Sequence, residues 1–225
     1  METIFLDDIQ IESKVDDLFK LLKVDMNYDF ASEIVELFEK GKKIGRPKAL
    51  YGIAYINNKG ENWVDIEGIR FTSRLLSINL KDVHRVFPYI VTCGMELNIW
   101  AKSINDPIEH YWADTFCEMV LRSAFKKMTE DFKSRLNPGK TATMNPGSLD
   151  DWPISDQRKL FYLMGDKVKD LGVELTDSFL MVPIKSMSGL MFSTETTYEN
   201  CMLCPRERCP GRRSKYDPEA FKWDK

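Results

Sequence analysis

Histidine is scarce, with only His84 and His110 in the chain and no His-x-x-x-His pair, which argues against a helix-borne catalytic zinc. Neither G-x-G-x-x-G nor G-x-x-x-x-G-K occurs among the 12 glycines, so no phosphate-cradling loop is present. A Gly-x-Ser-x-Gly nucleophile elbow is also absent. No window approaches the roughly 18 apolar residues of a membrane span. Residues 1–12 are acidic and lack the basic start and apolar core of a secretory signal. Net charge is only −3, too mild to make nucleic acid or an anionic membrane the main partner. Together these absences predict a cytosolic protein with neither membrane nor nucleic acid as partner.

What is present is an ordinary globular composition. The 225 residues are 43% hydrophobic, 12% aromatic and 30% charged, which excludes a disordered tail, a collagen-like rod and a coiled coil. A chain of this length buries roughly 70% of its unfolded surface and needs no disulfide staples. Charge is unevenly placed: acids crowd residues 1–40, whereas Arg206, Arg208, Arg212, Arg213 and Lys215 form a basic run near the C-terminus.

Apolar spacing predicts helices over residues 13–24 and 29–40, the second stopped by Gly41. Residues 50–56 and 62–71 read as a strand pair joined by the turn-like residues 57–60. Residues 89–92 form a further short apolar run. The clearest element is a long helix capped by Asp106, with Pro107 at its first position. Ile108, Trp112, Phe116, Val120, Ala124, Met128 and Phe132 recur on one face of it, which marks a core stripe, and residues 137–139 end it. Residues 140–153 read as a loop, followed by a short helix capped by Ser155 and by extended stretches at 173–182 and 188–194. Hairpin-like turns without regular βαβ spacing predict an α+β domain with an antiparallel sheet.

Three of the five cysteines fall in the pattern Cys201-x2-Cys204-x4-Cys209. In a reducing compartment such a cluster reads as a metal site before it reads as disulfides. Thiolates at these intervals suit an iron–sulfur cluster first and zinc second, and metal-free thiols are the third reading. Pro205 and Pro210 turn the chain after two of them. A closed zinc site needs a fourth donor, for which Cys93, Cys117, His84 and His110 are the candidates within the chain. Cys93 and Cys117 read more simply as small core residues. The arginines around the cluster are either a solvated tail or a docking patch for an acidic redox partner. Lys185, in Pro183-Ile184-Lys185-Ser186, is either an anion-binding residue or a solvated loop lysine.

Two segments carry a family resemblance. Residues 145–157 (NPGSLDDWPISDQ) resemble the Pro-Gly-Tyr-x-Asp-x-Pro-Leu-x-x-Gln segment of the activation domain of cobalamin-dependent methionine synthase. Residues 172–189 (GVELTDSFLMVPIKSMSG) resemble its Ile-Gly-x-x-Leu-Thr-x-Ser-x-x-Met-x-Pro-x-Lys-Ser-x-Ser-Gly segment closely, and Val91-Thr92-Cys93-Gly94 before the long helix is also similar. The resemblance implies an α+β fold around a twisted antiparallel sheet. It divides the chain into an N-terminal helical and hairpin part (1–84), an activation-domain-like core (85–195) and a cysteine-rich basic extension (196–225).

Such domains bind S-adenosylmethionine and rescue cob(II)alamin by reductive methylation. The resemblance therefore implies a chain that reactivates or docks a corrinoid protein or methyltransferase in trans, the cobalamin being the partner's. Thr143, Pro146, Gly147, Ser148, Lys185 and Ser186 are the implied ligand-site positions. The family's Arg-x-x-x-Gly-Tyr motif reads Thr143, Gly147 and Ser148 here, and a family glutamate of the long helix gives way to Arg122 or its neighbours. Without the arginine fork that holds a carboxylate, adenosylmethionine affinity is expected to be weak. The alternative is a non-catalytic ligand- or partner-binding protein with a zinc-stabilised tail.

Overall fold

The computed structural model describes residues 1–195, 198–206, 208–209 and 212–217. Along the chain lie β1 (Glu2–Leu6), α1 (Val15–Leu22), α2 (Ala31–Ile44), β2 (Lys48–Lys59), β3 (Trp63–Ile66), β4 (Ile69–Thr72), α3 (Arg74–Asn79), β5 (Arg85–Thr92) and α4 (Met95–Lys102). Then follow α5 (Pro107–Leu136), β6 (Thr141–Met144), a 3₁₀ turn (Ile154–Asp156), α6 (Gln157–Met164), α7 (Lys167–Leu171), β7 (Glu174–Leu175), β8 (Met181–Val182), β9 (Ser186–Ser193) and α8 (Asn200–Leu203).

Seven strands form one antiparallel sheet in the order β4-β3-β2-β5-β9-β6, with β1 also on β2. The expected α+β class with an antiparallel sheet is the one observed. Strand alternation splits the sheet into two buried faces. Tyr51, Phe87, Tyr89, Val91 and Met191 enter a core with α1, α2, α4 and α5. Ala54, Val86, Leu190 and Phe192 enter a second core with α3, α6 and Trp152. A smaller cluster packs α7 on Leu50 and Ile90.

Helix α5 follows its sequence signals closely. Asp106 Oδ1 accepts from the Ile108 and Glu109 amides at 2.8 and 2.9 Å, and Asn137 closes the helix at φ 40°. The expected stripe is buried from Trp112 to Phe132, although Ile108 lies outside it and is exposed. Phe132 meets Phe87 at 4.7 Å between ring centroids, and Phe125 meets Tyr89 at 5.4 Å.

Several expectations need correction. Gly41 does not stop α2; it is an interior residue whose missing Cβ makes room for Phe116, since a methyl there would lie 2.5 Å from Cε1. The stretch 62–71 is a hairpin, folded at Glu67 and Gly68 with φ of 50° and 80°, and β2 runs on to Lys59 through residues that read as a turn. Ser155 caps nothing: α6 starts from the 3₁₀ turn without a side-chain cap. The loop expected over 140–153 begins as an edge strand, β6, which β9 holds through its backbone. β1 and α4 lacked a readable pattern because both are short.

Candidate functional site

Strand pairing sets out the expected ligand positions. Thr143 stands opposite Met191, which in turn stands opposite Phe87, and one row along Gly189 stands opposite Tyr89. Ala142 and Met144 enter the α3–α6 core, so Thr143 faces the α5 side of this edge strand. A threonine there offers one hydroxyl where the motif's arginine has a fork of donors.

Directly after β6, Asn145 ties four segments together. Its Nδ2 donates to the phenol oxygen of Tyr89 and to the carbonyl of Ser188, both at 2.7 Å. Its Oδ1 accepts from Asn200 at 3.4 Å, and Asn200 accepts from the Tyr198 hydroxyl at 2.8 Å. Gly189 allows this junction, because a Cβ there would lie 2.5 Å from both Asn145 Nδ2 and the Met144 carbonyl oxygen. Burial pushes the Tyr89 phenol up to about 12 despite the Asn145 bond and the Arg213 charge. Asn145 stands inside the quoted family segment, yet only its geometry reveals this role.

Pro146 is buried, and Gly147 adopts φ 77° so that its amide can reach the Trp152 carbonyl at 2.8 Å. Trp152 is buried and donates to Asp156 at 3.2 Å. Asp151 accepts from the Leu75 amide at 3.0 Å and from the Ser73 hydroxyl, which fixes the loop to the start of α3. Ser148 is left exposed on the outer side of this tight loop.

The cysteine segment packs back onto the loop. Asp150, Asp151, Ser148, Leu149 and Leu75 on one side and Leu203, Cys204, Pro205, Arg206 and Tyr216 on the other enclose a cavity of about 710 Å³. Two positions singled out from sequence for different reasons, Ser148 and Cys204, therefore share one cavity. Thr143 does not line it. Lys185 directly precedes β9 and Ser186 begins it, four residues from the Leu190–Met144 pair and roughly 13 Å along the strand.

Lys185 is ion-paired in this structure. Its ammonium lies 2.9 Å from Asp114 and 3.8 Å from Glu118, so its charge is already met. Ser186 Oγ lies within hydrogen-bond distance of Thr92 Oγ1 and the Pro183 carbonyl. Arg122, expected where the family has a glutamate, pairs with Glu118 at 3.0 Å.

Among the described residues no group of three His, Cys, Asp or Glu side chains is placed to hold an ion. The loop is built around a guanidinium instead. Arg212 donates to the carbonyls of Cys201 (2.8 Å), Cys204 (2.9 Å), Arg206 (2.5 Å) and Ser214 (3.2 Å). α8 is one turn long, and the bonds to Cys201 and Cys204 serve otherwise unmatched carbonyls at its end. The Arg213 amide points at Cys201 Sγ from 3.5 Å, and its guanidinium pairs with Glu199 at 3.0 Å.

The other candidate donors have surroundings of their own. Cys93 and Cys117 are buried in the α5 core, where the adjacent Cys117 thiol and burial hold the Cys93 thiol well above its ordinary range. His84 lines a separate opening with Asp82, Arg85 and Glu195, and His110 Nδ1 faces the Ala101 carbonyl at 2.9 Å. Pro210, expected to turn the chain after Cys209, lies outside the described residues.

Comparison with known proteins bears on this arrangement at two levels. A family model described as "Vitamin B12 dependent methionine synthase, activation domain" matches residues 146–209, from the start of the Gly147 loop through Cys209. The crystal structure of the MetH reactivation domain bound to AdoHcy superposes with a TM-score of 0.60 at 14% identity, over 88% of this chain and 81% of that one. The fold is that of the methionine synthase activation domain. No curated protein matches the chain in sequence. The matched segment carries both walls of the 710 Å³ cavity, apart from Leu75 of α3 and Tyr216. Among the described residues no helix is long and apolar enough to cross a membrane.

Proposed function

We propose that this chain acts in trans on a corrinoid protein, docking on it and supporting its reductive reactivation as an activation-domain-like module. The observation that carries the reading is the family match over residues 146–209, because it falls on the loop and the cysteine segment that Asn145 and Asn200 join. Cobalamin belongs to the partner in this reading.

Two finer parts belong to the same proposal. Cys201, Cys204 and Cys209 serve as soft-metal ligands, for an iron–sulfur cluster or for zinc, and gather only on loading, since metal binding and loop closure are one equilibrium. Exposed Arg208 and Lys215 meet an acidic surface of the partner, a contact that salt weakens.

Sedimentation of the full chain with a cobalamin-loaded methionine synthase fragment lacking its own activation domain tests the reading. A one-to-one complex at low salt, weakened at high salt, is expected. Two independent species at low salt would overturn it.

A further inference from the structure

Part of the acidic N-terminal run borders a group of exposed apolar side chains at the start of α5. Phe30 is 48% exposed, Ile108 54%, Tyr111 56%, Ile99 62% and Ile184 64%. A chain of contacts makes them one surface. The Phe30 ring lies 6.5 Å from that of Trp112, and Ile108 stands one turn before Trp112 on α5. Tyr111 follows Ile108 by three residues, and Asp114, three further on, meets the Lys185 ammonium at 2.9 Å. Ile184 adjoins Lys185, and its amide donates to Asn98 Oδ1, beside Ile99, at 3.5 Å.

The charges beside this surface have one sign. Asp29 adjoins Phe30 and Glu33 lies three residues on, while Asp106 and Glu109 flank Ile108; residues 25–33 and 104–111 contain no lysine or arginine. Asp106 is committed to the first amides of α5, and Glu33 accepts from Ser32 Oγ at 2.9 Å. Among the described residues the exposed carboxylates of Asp29 and Glu109 have no partner. Lys185 is already met by Asp114 and Glu118, and Lys102, one turn beyond Ile99, is the cation nearest in sequence. Single apolar residues on a surface are ordinary, but five that adjoin beside unpaired charges of one sign mark an interaction site.

We propose that this surface binds a basic amphipathic helix of a partner protein. Ile108, Tyr111, Ile99, Ile184 and Phe30 take the apolar stripe of that helix, and Asp29 and Glu109 take the lysines or arginines beside the stripe. Charge complementarity decides the occupant. Nucleic acid and anionic lipid are repelled by the carboxylates, and a two-fold pairing with a second copy would bring like carboxylates together. Arg208 and Lys215, in the corrinoid reading, call for an acidic surface, so this contact is of opposite sign and does not depend on that reading.

Fluorescence anisotropy of a labelled synthetic helix of leucine and lysine, titrated with the full chain, tests this. The lysine helix is expected to bind, and a helix of the same pattern with glutamate for lysine to bind far more weakly. Ile108→Ala combined with Tyr111→Ala should weaken the lysine helix about 10-fold or more. Asp29→Asn combined with Glu109→Gln should weaken it and flatten its salt dependence. Tyr162→Ala, which removes an exposed ring from α6, should change nothing.

All the substituted side chains are exposed, so none of these variants threatens folding. No binding of the lysine helix, equal binding of the glutamate helix, or indifference to the Ile108 and Tyr111 substitutions would overturn the inference. Sedimentation of the chain alone supplies a further arm. Self-association abolished by the same two substitutions would make a second copy the occupant and overturn the basic partner.

Discussion

Arg212 donates to the carbonyl oxygen of Cys204 across 2.9 Å, and the same guanidinium reaches the carbonyls of Cys201, Arg206 and Ser214. Composition alone presents residues 206–215 as a uniform basic run, yet its members do different work. Arg212 is turned inward to close the loop, and Arg213 is tied to Glu199. Arg206 enters a cavity, while Arg208 and Lys215 stay exposed.

Removing the inward guanidinium should open the loop. Arg212→Ala leaves four carbonyls to water and should cost about 1–3 kcal/mol of local stability. Hydrogen exchange of amides at 201–206 and 212–214 should then quicken, with β2 and β5 unaffected. Arg208→Ala is the control, and equal protection in both variants would contradict the clamp.

Gly189→Ala should strike the junction of β5, β9 and the Asn145 loop. The added methyl would meet Asn145 Nδ2 and the Met144 carbonyl oxygen at 2.5 Å and the Tyr89 hydroxyl at 2.9 Å. Overpacking of this kind costs about 1–3 kcal/mol, readable as a lower urea midpoint. An unchanged midpoint would show that the strands part without penalty.

Tyr89 links this junction to pH. Its phenol is raised from 10.0 to about 12 by burial, so the folded state keeps that proton after the unfolded chain has lost it. The associated stability is complete below pH 10 and disappears as pH rises towards 12. Tyr89→Phe should therefore make the alkaline fall of stability shallower over that window. It should also cost about 1 kcal/mol at neutral pH, because Asn145 loses an acceptor. Tyr51 and Tyr198, also raised by burial, keep part of the alkaline limb in the variant. An alkaline limb unchanged by the substitution would count against the buried phenol.

The cysteines divide into two classes with different expected chemistry. Cys201→Ser, Cys204→Ser and Cys209→Ser should each remove most metal from anaerobically purified protein, since a serine oxygen is a poor substitute for a soft thiolate. Cys117→Ser, buried beside Cys93, should keep it. Full metal content in the Cys204 variant would end the ligand role.

Legibility followed pattern length. The seven-turn stripe of α5, with Asp106, Pro107 and Asn137 as its signals, could be read from sequence because every fourth residue repeats one physical requirement. β1, β6 and α4 are too short for a period to stand out. Gly41 misled because a glycine that ends a helix and one that admits a neighbouring ring look alike in sequence; only the approach of Phe116 separates them.

At the site, residue types were legible and partners were not. Ser148 and Cys204 were each singled out, but that they share a cavity depends on the tail folding back through Asn200 and Arg212. The ion pairs of Lys185 were not legible because Asp114 and Glu118, its partners, lie some seventy residues earlier in the chain.

The most direct measurement follows the cob(II)alamin absorbance of a methionine synthase fragment without its own activation domain, supplied with reductant and S-adenosylmethionine. Adding this chain should speed the loss of that signal, saturate with its concentration, and slow again as ionic strength rises through about 0.1 M. A rate unchanged at every concentration of the chain would contradict a role in corrinoid reactivation.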